Sequence, residues 1–318
     1  MRAIPMDTMQ PKDLVSKLTI ELDEALRLLK ESEHTVNTKN LPESQSLPSN
    51  LLDQCLALCK QHYAAKPEPI RIVHHFACTG GTLISKCIAS MPNTQLLSEV
   101  DPLSTVKSSD KSQFTPTDMI ALMRQSTRGV STELIIDLFL NNLGTIYSEL
   151  LNCGLRLVLR NHVHSHYCRD AIIPERPSLL EIVTTKFPTL SVVTVRDPID
   201  SYVSLKANGW MQFSPPTFDE YCARYAAFIR SYEGSPVVRF EDFVNDPATE
   251  MKKICDFLDL PFNLDFLELF SVHRISGDSG RTGDVIEPRP RQPMDAVLLN
   301  EIENSSKYQY VRSLLGYT

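Results

Sequence analysis

Apolar positions change their period several times along the chain, and each change marks an element. In DLVSKLTIELDEALRLLKES, the residues Val15, Leu18, Leu22, Ala25 and Leu29 recur at three- and four-residue spacing, the stripe of an amphipathic helix. Two heptads are too few for a coiled coil. The stretch NTKNLPESQSLPSN after it crowds Pro, Ser and Asn together and reads as a linker. A second short helix is expected from about Leu51 to Ala64, ahead of Pro67. Residues 1–66 are therefore read as a helical N-terminal extension and linker. The arm packs onto the main domain or, in a homo-oligomer through its first helix, onto a partner subunit.

From Pro69 onward, short β-rich runs alternate with longer helical patterns. IRIVHHF (70–76), LRLVLRNH (155–162), LSVVTVRD (190–197) and PVVRFED (236–242) are the expected strands. Helical periodicity fills the stretches near 82–91, 116–127, 131–152, 177–187, 199–209, 217–232 and 247–258. Such alternation predicts an α/β domain over residues 67–318 with a mostly parallel central sheet. Ligands of such sheets bind outside the carboxyl ends of the strands, so chemistry is expected in the loop and helix start after each strand.

Charge and composition narrow the classes. With 32 basic and 39 acidic residues among 318, the chain carries a net charge of −7, which argues against non-specific nucleic-acid binding. No apolar run approaches the roughly 20 residues of a membrane span, and the start lacks the apolar core of a secretory signal. The eight cysteines include no C-x-x-C pair, so neither a zinc site nor a disulfide framework is indicated, and a cytoplasmic location with reduced thiols is expected. Glycine occurs only 11 times, and five of these fall in Gly80-Gly81 and Gly277/Gly280/Gly283. In a chain so sparing of glycine, these two segments are expected to need it for backbone reasons.

The first segment, IRIVHHFACTGGTLISKC, is a strand, a glycine turn and a helix. The two glycines let the backbone approach a ligand, and the helix amides with the Thr79 and Thr82 hydroxyls suit a phosphate or sulfate oxygen. A plain strand-to-helix turn reads the same way. The segment is not a Walker A loop, since G-x-x-x-x-G-K-[ST] is absent. In SVVTVRDPIDSYVSL, Arg196 closes a strand and Ser204 lies on the next helix, with Pro198 suited to its first turn. Arg196 can grip a phosphate bidentately while Ser204 adds a hydroxyl.

ACTGGTL with VRDPIDSYVSL downstream resembles the 5′-phosphosulfate and 3′-phosphate segments of the sulfotransferases that use 3′-phosphoadenosine-5′-phosphosulfate (PAPS). Arg196, Asp197, Pro198, Asp200 and Ser204 match every defining position of the R-[ND]-P-x-D-x-x-x-S pattern. VVRFEDFVNDPATEMKKICDFLDLPF is similar to the family's strand-YEDL-helix segment. The resemblance runs from about residue 69 to 318 and implies a three-layer α/β sandwich of P-loop-like sulfotransferase type, PAPS as donor and no metal. It implies donor contacts from Thr79, Gly80, Gly81, Thr82, Leu83, Arg196 and Ser204. ISGDSGRTGDVIEPRPRQP resembles the loop that closes over the 3′-phosphate, which nominates Gly280 and Arg281, and Tyr221 is similar in place to an aromatic flanking adenine. Arg289 and Arg291 read as solvated.

Sulfuryl transfer requires alignment, charge stabilisation and a base for the acceptor. His162 resembles the catalytic histidine of the family's K-T-H segment, and Glu99 in QLLSEVDPL stands where related enzymes carry a catalytic glutamate. His162 is favoured, with His164 beside it. His162, His164 and His166 on one strand face could instead ligate a metal, but no carboxylate or thiol set completes a first shell. The family's lysine or arginine before the glycine turn is replaced by Cys78 and Thr79, so His74, His75, Lys86 or a late-loop arginine is expected to supply that charge. The implied activity is transfer from PAPS to the hydroxyl, or the amine, of a small-molecule, glycan or peptide acceptor. The alternatives are a divergent P-loop kinase and a non-catalytic bisphosphate-nucleotide-binding module.

Overall fold

The computed structural model describes residues 67–106, 117–275 and 283–317, which belong to the unit Lys66–Thr318. The expected N-terminal helices, and the glycine positions Gly277 and Gly280 with Arg281, lie outside the described residues.

Chain order begins with β1 (Ile70–His75), α1 (Gly81–Ala89), β2 (Thr94–Val100), α2 (Met119–Arg124), α3 (Thr132–Asn152) and β3 (Arg156–Asn161). It continues with α4 (His164–Tyr167), β4 (Arg169–Asp170), α5 (Leu179–Thr184), β5 (Thr189–Val195), α6 (Pro198–Ala207), β6 (Gln212–Phe213) and α7 (Phe218–Ser231). The last elements are β7 (Val237–Arg239), α8 (Phe240–Asn245), α9 (Pro247–Leu258), α10 (Phe266–Leu269), α11 (Ala296–Asn304) and α12 (Ser306–Leu314).

Five strands form a parallel sheet in the order β2-β3-β1-β5-β7, and β4 pairs with β6 in a separate parallel ribbon. The expected α/β architecture with helices on both sheet faces is the one observed. Side chains alternate across β1. Ile70 and Ile72 meet Leu143 of α3 and Leu179 and Val183 of α5 on one face. Val73 meets Ile84 and Ile88 of α1 and Ile254 of α9 on the other. Phe76, just past β1, enters an aromatic cluster with Tyr221, Tyr225 and Phe228 of α7. Every residue of β1 is buried, as expected for a central parallel strand. That includes Arg71, whose guanidinium donates to the Leu258 and Asp259 carbonyls at the end of α9, at 2.5 and 2.8 Å. The helix leaves those carbonyls without partners of its own, so the buried charge is satisfied and the helix end is capped together.

Three expectations change. The strand expected over 236–242 ends at Arg239, and Phe240 opens a helix instead. Strand β2 had no counterpart in the sequence pattern, because Ser98 and Glu99 interrupt its apolar alternation where the pairing with β3 slips between Leu97 and Val100. Finally, α3 is long and apolar enough by length and composition to cross a membrane. Its polar Asn141, Asn142, Thr145 and Ser148 hide this from a search for unbroken apolar runs. It lies along the sheet, with Ile135, Leu140 and Leu143 buried.

Candidate active site

The carboxyl ends of β1, β2, β3 and β5 open into a cavity of about 490 Å³. Its floor is the turn between β1 and α1. Cys78 and Gly80 both take left-handed backbone (φ 61° and 83°), which turns the chain from strand to helix within five residues. Glycine is required twice over. A Cβ on Gly80 would lie 2.1 Å from the Phe240 ring, and one on Gly81 would lie 2.2 Å from the His75 ring. The turn therefore brings bare backbone and the N-terminus of α1 to the cavity, an arrangement that favours anions. Gly80, Gly81, Thr82 and Leu83 line it. Thr79 does not: it is fully buried, with its hydroxyl donated to the Phe76 carbonyl at 2.7 Å. Lys86 reaches the cavity one turn into α1.

Arg160 of β3 is the residue missed by reading the sequence. Its side chain is buried and points from a central strand into the cavity. It donates from Nε to His75 Nε2 (3.0 Å), from Nη1 to the Ser98 hydroxyl (3.0 Å) and from Nη2 to the Thr82 hydroxyl (3.0 Å), and pairs with Glu99 at 2.8 Å. By accepting at Nε2, His75 is fixed as a neutral imidazole with its proton on Nδ1. Burial, and then the Arg160 charge, hold its pKa well below the ordinary value. The signal in the sequence was an arginine that directly follows the apolar run Leu157–Leu159, two residues before His162.

Glu99 and His162, rivals by sequence, are partners in space. Glu99 Oε2 lies 3.1 Å from His162 Nε2, while Oε1 faces Arg160. Glu99 has φ 62°, an uncommon value for a residue with a side chain, and sits at the slip in the β2 register. The irregular strand end is what turns its carboxylate toward β3. Burial lowers the His162 pKa, opposed by the Glu99 and Asp101 charges. His164 is held at about 4 by burial and then by His162, stands edge-on to Trp210 with ring centres 6.4 Å apart, and bonds to Gln212. The alternate-histidine strand face does not form, because β3 ends at Asn161 and His164 opens a helical turn. His166 points elsewhere, with Nε2 at 3.0 Å from the Pro174 carbonyl.

The opposite wall comes from one segment. Asp197 caps α6 by accepting from the Ile199 amide at 2.8 Å, and Pro198 takes the first helical position. Asp200, Ser204 and Asn208 then face the cavity at four-residue spacing, below Arg196. The Arg196 guanidinium stacks on the Phe240 ring (5.0 Å) and donates to the Cys78 carbonyl (3.4 Å), tying this wall to the glycine turn. Tyr221 is not in the cavity: it is fully buried beneath α6 and donates to the Ser201 hydroxyl at 2.7 Å. Of the late loop, Gly283, Val285, Glu287, Pro288 and Arg289 line the cavity. Arg291 is exposed, as expected, and also pairs with Asp200 at 2.8 Å and Asp197 at 3.0 Å.

A family model described as "Sulfotransferase family" matches residues 69–264. The chain belongs to the sulfotransferase family. Transfer of a sulfuryl group is the chemistry of that family, and strands and loops within the matched region line this cavity. No curated protein matches the sequence. Among solved structures, the sulfotransferase domain from the curacin biosynthetic pathway aligns at 18% identity and a TM-score of 0.46, over 80% of this chain and 99% of that one. The sulfotransferase domain of the Synechococcus PCC 7002 olefin synthase gives the same identity and score over 80% and 96%. A mouse sulfotransferase complexed with PAP aligns at 12% identity and 0.38, over 80% and 90%.

Proposed function

We propose that this sulfotransferase moves the sulfuryl group of PAPS to an acceptor hydroxyl by in-line displacement, with His162 as base and Arg160 as the cation at the transferred group. The observation that carries the reading is the unbroken chain of contacts from Thr82 through Arg160 and Glu99 to His162. It joins the anion-binding helix start to the base. The residues present fit the donor: backbone without Cβ atoms at Gly80 and Gly81, the Thr82 hydroxyl, and Arg196 with Ser204 on the far wall. PAPS supplies an activated sulfuryl group and leaves as adenosine 3′,5′-bisphosphate. Arg196 and Ser204 hold the 3′-phosphate, and the α1 amides with Thr82 hold the 5′ end.

Arg160 takes the role left vacant by Cys78. Its fixed fork is already oriented by His75, Ser98 and Glu99, so no reorganisation is needed as negative charge grows on the leaving oxygen. Glu99 has both oxygens engaged, which suits orienting better than proton transfer. With His162 Nε2–H donated to Glu99, the Nδ1 lone pair takes the acceptor's proton, in the logic of a carboxylate that fixes a histidine tautomer. The lowered His162 pKa keeps the balance in favour of the neutral, proton-accepting form at pH 7. The acceptor enters against His164, Trp210 and Gln212.

His162→Ala is expected to lower kcat by about 10²–10⁴-fold while leaving affinity for adenosine 3′,5′-bisphosphate within a factor of about two. Glu99→Gln is expected to lower kcat about tenfold. It also removes a charge that raises the His162 pKa, so the acid limb of the pH–rate profile moves to lower pH. Full activity in His162→Ala, with a loss of the larger size in Glu99→Gln, would transfer the base role to Glu99.

A further inference from the structure

We propose that Tyr317 is a positioning residue for 3′-phosphate recognition, acting through Glu241 on the turn that carries Arg196. The inference rests on the proposed donor site and extends it to a segment outside both glycine segments and the arginine-serine motif.

Strand β5 ends at Val195, so the backbone of Arg196 and Asp197 has left the sheet ladder and needs other partners. The Arg196 amide donates to the Tyr225 hydroxyl, which donates in turn to the Arg196 carbonyl, each at 3.0 Å. The Asp197 amide donates to Glu241 Oε1 at 2.9 Å. Glu241 stands beside Phe240, whose ring lies under the Arg196 guanidinium. A single carboxylate thus fixes the backbone of the turn from the helix that also supports its side chain. The other oxygen of that carboxylate is claimed by Tyr317, which donates to Glu241 Oε2 at 2.7 Å.

Tyr317 is itself anchored. Arg239 lies over its ring (5.1 Å) and donates to the Leu315 and Gly316 carbonyls at 3.2 and 2.7 Å. Gly316 takes φ 69°, left-handed backbone that favours glycine, and a Cβ there would fall 2.5 Å from Arg239 Nη2. Burial and Glu241 both raise the Tyr317 pKa, which keeps the phenol a donor at any working pH. A carboxylate held at both oxygens has one orientation; with Oε2 released it can rotate or turn toward solvent, and the Asp197 amide loses its fixed partner. Arg196 would then meet a phosphate from a looser turn, while contacts of the 5′ end with α1 are untouched.

Tyr317→Phe keeps the ring and removes one O–H. Calorimetric titration of the full chain is expected to show about 3–10-fold weaker binding of adenosine 3′,5′-bisphosphate. Adenosine 5′-monophosphate should change by less than about twofold, and Tm by less than about 2 °C. In a Glu241→Ala background the same substitution should change neither affinity, because the link is already cut. Bisphosphate affinity equal to wild type would overturn the proposal. So would parallel losses for both nucleotides that track a fall in Tm, or an undiminished effect in the Glu241→Ala background. A wild-type protein that does not prefer the bisphosphate removes the donor assignment and this inference with it, whereas a preference retained in full by Tyr317→Phe removes the inference alone.

Discussion

At one end of the cavity, Arg160, Glu99 and His75 come from three neighbouring strands and His162 from the turn after β3, linked through Arg160 and Glu99. At the other, Arg196, Asp200, Ser204 and Asn208 come from one strand-to-helix segment, and the groups that hold them come from elsewhere: Tyr225, Glu241 and Arg291. At the first end, contacts radiate from a buried guanidinium to His75, Ser98, Thr82 and Glu99. The second is a local motif with external supports. A pre-paired group changes its own energy little when an anion arrives and acts chiefly on charge that develops during reaction. An arginine stacked on a ring and held by one long carbonyl contact keeps donors for a ligand. Under the proposed function, the first end acts on the transition state and the second on ground-state binding.

That division can be broken from either side. At the first end, Arg160→Ala should lower kcat by about 10²–10³-fold with bisphosphate affinity changed far less. Steady-state turnover with a parallel calorimetric titration checks it, and an equal loss in both would erase the distinction. Arg196→Ala should act the other way. Bisphosphate binding is expected to weaken about 10–100-fold while adenosine 5′-phosphosulfate is nearly unaffected. Similar losses for the two nucleotides would take Arg196 out of the 3′-phosphate role.

The smallest expected effect concerns acid. The Arg160 end holds buried neutral imidazoles: His75 lies well below its ordinary value, His164 is held at about 4, and the neighbouring His74 is held at about 3, all by burial first. In the unfolded chain each would take a proton near pH 6.5, so between these values the unfolded state binds more protons. Stability from these groups is therefore fully present above about pH 6.5 and is lost progressively as pH falls toward about 4. Thermal unfolding monitored from about pH 7.5 to about 4.5 should show Tm declining below about 6.5, and a flat profile would contradict the burial of these rings.

The same contrast governs what could be read in advance. The second end was legible because its side chains succeed one another in sequence, from Arg196 to Ser204, at spacing a helix converts into one face. The glycine turn was legible because its requirement is local, although the rings that enforce it, Phe240 and His75, are not. Arg160 was not legible. Its partners lie on β1, β2 and α1, and an arginine in a strand gives no sign of whether it faces solvent or a cavity until the strand order is known. Glu99 and His162 looked like competitors because nothing in the sequence says that β2 and β3 are neighbours. Tyr221 was nominated for the adenine by its place in the family resemblance, which does not distinguish a core-facing tyrosine from a ligand-facing one. The ion pairs of the exposed Arg291 could not be read because its carboxylate partners lie on another element.

The central claim is that the cavity is built for a nucleotide carrying a 3′-phosphate. It is tested most directly by isothermal titration of the full chain with adenosine 3′,5′-bisphosphate, adenosine 5′-monophosphate and ATP with Mg²⁺. Two charge-assisted phosphate contacts from Arg196 and Ser204 predict that the bisphosphate binds at least about tenfold more tightly than either competitor. Binding of ATP with Mg²⁺ as tight as that of the bisphosphate, or no difference between bisphosphate and monophosphate, would contradict it.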